Sequence, residues 1–124
     1  MSLELTFGSP LIHVSKGVKR LHMIIPGWAQ YVDLNTLDME SRNEDVLGQI
    51  MQNHPDLDAY VEDQPYVSGI VHVFPEFLHK CTVPVQIRSY YGFTAYGSYV
   101  DYSFEDLTRV WKRVIPIYQR EVRE

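Results

Sequence analysis

Few residues in this 124-residue chain have side chains suited to chemistry: five histidines (His13, His22, His54, His72, His79) and one cysteine, Cys81. A thiol with an imidazole beside it is the least that thiolate nucleophilic catalysis requires, and Cys81 with His79 or His72 is the one arrangement that offers it. Cys81 has no second cysteine for a disulfide and no thiolate set for zinc. No two histidines stand four apart, as two metal ligands on one helix face would, so neither a metal nor another cofactor is expected. A lone cysteine in a reducing compartment more often packs as a small hydrophobe, and His72 lies in an apolar run where it reads as a lining histidine. There is no Gly-x-Ser-x-Gly elbow, phosphate-binding glycine loop or dinucleotide fingerprint. The balance favours a non-enzymatic protein, with a small enzyme built on Cys81, His79 and His72 as the alternative.

Two other features point to recognition. From Tyr90 to Tyr102 the chain reads YYGFTAYGSYVDY, five tyrosines and a phenylalanine among small residues. Tyrosine gives a large contact area at low entropy cost, and small neighbours let the segment adapt. Tyr90, Tyr91, Tyr96, Tyr99 and Tyr102, with Arg88 as the nearby cation, form the candidate binding set. The same rings can instead pack on the core as a tyrosine-rich hairpin. Stacking of single-stranded bases is a weaker third reading, since Arg88 is the only cation nearby in sequence.

The second feature is charge. The net charge is −5, yet residues 31–63 alone hold Asp33, Asp38, Glu40, Glu44, Asp45, Asp56, Asp58, Glu62 and Asp63 against Arg42. That block repels a phosphate backbone, so ordinary nucleic-acid binding is not expected. Asp33, Asp38, Glu40, Asp56, Asp58, Glu62 and Asp63 are the candidate acidic face: a solvated surface, a dock for a basic partner, or a nucleic-acid mimic. A protein partner is expected, and self-association stays open.

The elements that must position these residues are read from periodicity. Leu3 to Phe7 alternates as a short strand, and Leu11–Val14 and Val18–Ile25 flank Ser15-Lys16-Gly17 as a hairpin. Trp28 to Val32 suggests a helical turn. Val46, Leu47, Ile50 and Met51 give a helix over about 44–53, capped by Ser41 or Asn43, with Gly48 marking a close contact. Leu57 to Asp63 suggests a short helix, and Tyr66 to Phe74 is aromatic and β-branched, which favours a strand. Pro75 opens a helical turn through Lys80. Residues 83–91 carry conflicting signals: Val83, Val85 and Ile87 alternate, whereas Gly92 resembles a helix C′ glycine, and the balance tilts to helix. The last helix, about 104–118, starts at a Ser103 capping box and should kink or stop near Val114 because of Pro116. These elements make an α+β domain over residues 1–124, a small antiparallel sheet packed by the two main helices. No apolar run approaches the ~20 residues of a bilayer span and no basic-then-apolar leader opens the chain, so a cytoplasmic setting is expected.

PGWAQYVDLNTLDMES from Pro26, DVLGQI from Asp45, YGF at 91–93 and SFEDLTRVWKRVI from Ser103 together resemble a group of small actinobacterial and actinophage proteins. In those proteins a PGWAD-x-(I/V)-DL-x-x-LD segment precedes Cys-x-x-Cys-Val-Leu-Gly-Gln, a Gly-Phe step and a C-terminal Leu-x-x-x-Trp helix. The resemblance implies an accessory protein of phage or prophage type, acting in the bacterial or infected host cell, and no particular activity. Where that pattern has its two cysteines this chain has Arg42 and Asp45, which removes thiol or metal chemistry there and leaves a fastener at the start of the helix.

Overall fold

A computed structural model describes residues 9–54, 65–75, 83–95 and 100–123. Five α-helices occur in it: α1 (Pro10–Ile24), α2 (Val46–Asn53), α3 (Pro65–Val73), α4 (Val85–Tyr90) and α5 (Phe104–Arg123), with a 3-10 turn at Trp28–Tyr31. No strand is present among the described residues, which overturns the expected α+β fold with its antiparallel sheet.

The two misread segments have physical causes. The supposed hairpin is α1, a continuous helix with Pro10 at N1, where the missing N–H costs nothing. Val14, Val18 and Leu21 form its buried stripe, continued by Ile25. Gly17 makes no turn. A Cβ there would overlap the Tyr91 carbonyl oxygen and lie 3.3 Å from the Trp111 ring, so its absence lets α1 seat against α5 and the end of α4. The supposed strand at 66–74 is α3, again opened by a proline. Gly69 faces α2, where a Cβ would stand 2.9 Å from Leu47 Cβ and 3.2 Å from Met51 Cγ. Close helix packing thus overrides the β-propensity of the segment.

The helix expected at about 44–53 runs from Val46 to Asn53, capped not by Ser41 or Asn43 but by Asp45, whose Oδ1 accepts from the Gly48 N–H at 2.6 Å. α5 begins with the Ser103 box: Ser103 Oγ accepts from the Asp106 N–H at 3.1 Å, and Asp106 Oδ2 from the Ser103 N–H at 3.4 Å. Pro116 does not end α5, which continues to Arg123. The carbonyl that Pro116 leaves without a donor belongs to exposed Lys112, where water can bond it. The strand expected at Leu3–Phe7, the helix at Leu57–Asp63 and most of the Pro75–Lys80 turn lie outside the described residues.

One aromatic stack organises the core. Trp111 is fully buried, its Nε1–H donating to the Gly92 carbonyl at 2.8 Å. Phe93 stacks on it at 6.0 Å and Trp28 meets it edge-on at 5.9 Å. Residues 32–45 have no regular helix and are held by side chains reaching from helices. Gln49 accepts from the Asp33 N–H at 2.6 Å and donates to the carbonyls of Glu44 (2.9 Å) and Asp33 (3.3 Å). Thr108 Oγ1 accepts from the Met39 N–H at 2.9 Å, and Gln119 Nε2 donates to the Ala29 and Val32 carbonyls, each at 3.0 Å. The segments that carry the resemblance therefore meet in space as scaffold: Gln49 of VLGQ holds Asp33, and Trp28 packs on Trp111.

Candidate interaction surface

The conflict at 83–91 resolves as the short helix α4, ended by a Schellman motif. The Phe93 N–H donates to the Arg88 carbonyl (2.9 Å) and the Gly92 N–H to that of Ser89 (3.1 Å), with Gly92 at φ +74°. A Cβ on Gly92 would come within 2.9 Å of Val14 N, so the motif docks the end of α4 on the first turn of α1. This contact sets the tyrosines beside one flank of α1.

That flank carries His13, Lys16 and Arg20 at steps of three and four, each against an aromatic ring. Lys16 Nζ lies 4.9 Å from the Tyr90 ring centroid. The Arg20 guanidinium lies over Phe74 at 4.9 Å and Tyr91 at 5.9 Å, while its Nε donates to the Val73 carbonyl at 2.9 Å. His13 Nδ1 is 2.6 Å from the Tyr102 hydroxyl. Burial, then the Lys16 charge, lowers the His13 pKa, and burial raises that of Tyr102, so the phenol donates and neutral His13 accepts.

The tyrosine set is thereby divided. Tyr102 is buried, Tyr91 is half-buried against Phe74 at 5.2 Å, and Tyr90 is 49% exposed. Tyr90 is braced by Tyr91 at 5.2 Å and by Lys16. Tyr96 and Tyr99 lie outside the described residues. Arg88 belongs elsewhere: its Nε donates to the Val83 carbonyl at 3.1 Å and it lines a separate pocket. The cations near Tyr90 and Tyr91 come instead from α1, about seventy positions away in sequence, and only the fold reveals them. Beyond Lys16 the outward stripe of α1 continues through Lys19 to Met23, which is 68% exposed. From Leu5 to Val32 the sequence has no acidic residue, so this face is basic on an otherwise acidic chain.

Of the candidate acidic face, Asp33, Asp38 and Glu40 are exposed, while Asp56, Asp58, Glu62 and Asp63 lie outside the described residues. Two of the carboxylates serve local turns: Asp33 Oδ1 accepts from the Asn35 N–H (2.9 Å) and Asp38 Oδ1 from that of Glu40 (3.0 Å). Asp45 is buried, its carboxyl pushed well up by desolvation. Arg42 and Asp45, which stand where the resembling proteins have cysteines, do not share a helix: Arg42 lies in the preceding turn, from which its charge acts on Asp45, and Asp45 is the cap. Of the possible catalytic group, His72 is half-buried, its pKa lowered by burial and by His54, whereas His79 and Cys81 fall outside the described residues. Among the described residues no three His, Cys, Asp or Glu side chains could hold a metal ion. No described helix is long and apolar enough to cross a membrane.

Compared with protein-family models, curated proteins and solved structures, the chain matches none, and the actinobacterial and phage affiliation implied by the resemblance gains no support there.

Proposed function

We propose that the protein is a non-enzymatic binding module that recognises an acidic segment of a protein partner through Tyr90 and the outward stripe of α1. The observation that carries this reading is Tyr90, a large ring half exposed yet braced on Tyr91 and Lys16. A ring held in place loses little entropy on binding, and tyrosine is among the residues that dominate interface energies. Lys16, Lys19 and exposed Met23 extend the contact with charge and apolar area. The absence of acids from α1 selects for a negative partner.

Single-stranded nucleic acid is the second reading, favoured by Lys16 and Arg20 lying on tyrosine rings. A protein partner is preferred because Arg20 is already engaged with Val73 and Phe74, leaving few cations to neutralise phosphates. The test is fluorescence anisotropy with labelled acidic, neutral and basic peptides and a labelled oligothymidine. Acidic peptides should bind, more weakly as salt rises, and Tyr90→Ala should weaken them by at least tenfold with little change in Tm. Preferential binding of the oligonucleotide would replace this reading with the second, and acidic-peptide affinity unaffected by Tyr90→Ala would overturn it.

A further inference from the structure

The chain that presents a basic recognition face also carries an acidic segment of the kind that face would take. Asp33, Asp38 and Glu40 are exposed, and residues 33–40 contain no cation. On α1, Lys19 is exposed and Lys16 is half-exposed over the Tyr90 ring. Among the described residues no ion pair joins Lys16 or Lys19 to any of these three acids.

The fold keeps the two halves apart. Gln49 of α2 and Thr108 and Gln119 of α5 hold the backbone of Ala29, Val32, Asp33 and Met39. Lys16, Lys19 and Met23 instead occupy the side of α1 away from its buried stripe of Val14, Val18 and Leu21. Each half therefore finds its opposite charge on another molecule. The bonds from α2 and α5 also fix the backbone of the acidic segment, so docking it costs little ordering entropy.

Between this segment and α5 lies a cleft of about 340 Å³ lined by Asp38, Glu40, Glu105, Thr108, Arg109 and Lys112. Arg109 is bonded to Asp106 at 2.9 Å, which leaves Lys112 against three carboxylates and room for an incoming ammonium group. The net charge of −5 opposes association of two copies at long range. Salt screens that repulsion beyond about 10 Å at 0.1 M, so the charges in contact decide.

We propose that the acidic partner of the α1 and Tyr90 face is residues 33–40 of a second copy of this chain. The inference rests on the reading of that face given above. The two surfaces differ, so the contact is heterologous and joins copies head to tail.

The test is sedimentation velocity on the full chain over a concentration series. The weight-average sedimentation coefficient should rise with concentration at about 0.1 M salt and much less at about 0.5 M. Lys16→Ala/Lys19→Ala and Asp38→Asn/Glu40→Gln should each weaken self-association at least tenfold, with Tm within a few degrees. Asn at position 38 keeps a side-chain oxygen for the backbone N–H that Asp38 accepts from. Mixed one to one, the two variants should recover a dimer and nothing larger, because one retains the acidic segment and the other the basic face. With only the Asp38→Asn/Glu40→Gln variant isotopically labelled, amide shifts in the mixture should gather at Lys16, Lys19, Met23 and Tyr90. A chain that stays monomeric while acidic peptides bind at Tyr90 would overturn this inference and leave the reading of that face standing. Self-association that persists in both variants, or a mixture that stays monomeric, would overturn it too.

Discussion

Replacing Gly17 by alanine sets two effects of opposite sign against each other. In a helix interior Gly→Ala is favourable by about 1 kcal/mol, because glycine loses more backbone freedom on folding. At Gly17 the new methyl would overlap the Tyr91 carbonyl oxygen and press on the Trp111 ring, 3.3 Å away. The oxygen is backbone and cannot swing aside as a flexible side chain would. Moving it displaces Gly92, which abuts Val14 N and receives the Trp111 Nε1–H bond at 2.8 Å. Overpacking of this kind costs about 1–3 kcal/mol, and weakening the buried hydrogen bond adds about 1 kcal/mol more. The net expectation is a loss of about 1–3 kcal/mol. Urea denaturation should show it as a lower midpoint with an unchanged slope. Ser15→Ala, on the exposed face of the same helix, serves as the control and should gain a few tenths of a kcal/mol. A higher midpoint for Gly17→Ala would refute the close approach of α1 to α4 and α5.

Three further substitutions probe buried polar groups. Ser89 is 1% exposed and its Oγ has no partner among the described residues, so Ser89→Ala should stabilise by about 1 kcal/mol in the same urea assay, and a loss would mean that the hydroxyl is bonded. His13→Gln should lose about 1 kcal/mol at pH 7.5 by breaking the bond with Tyr102. Because the folded His13 pKa lies below its ordinary 6.5, its neutral form stabilises the fold above 6.5 and that contribution fades as pH falls through the lower value. The wild-type advantage over His13→Gln should therefore shrink in acid, and an advantage that grows would contradict the assignment. Asp45 has the opposite sign: its raised folded pKa makes its contribution greatest in acid and lost as pH rises through that value. Asp45→Asn keeps the cap without the charge, so by calorimetry its Tm should exceed wild type at pH 8 by a margin that narrows towards pH 4.

The parts legible in the sequence were those in which local and tertiary preferences agree. The Ser103–Asp106 box and the Trp111 stripe announce α5, and Gly92 announces the end of α4. The segments misread are those where local composition opposed the packing. Gly17 between apolar runs looks like a hairpin turn and is a helix–helix contact. Residues 66–74 have strand composition and fold as α3 because Gly69 lets them lie on Leu47 and Met51. The proposed interaction surface was half legible. Tyr90 could be named from composition, but its cations could not, since Lys16 and Arg20 reach the tyrosines only through the docking of α4 on α1. Gln49, which ties Asp33 and Glu44 to α2, had no signal beyond a polar residue beside an apolar stripe.

The most direct test of recognition through α1 and Tyr90 is amide chemical-shift mapping of the full chain with an acidic, aromatic-containing peptide. Perturbations are expected to cluster at Lys16, Lys19, Met23 and Tyr90. Perturbations centred on residues 33–45 instead, or no perturbation by any acidic peptide, would contradict it.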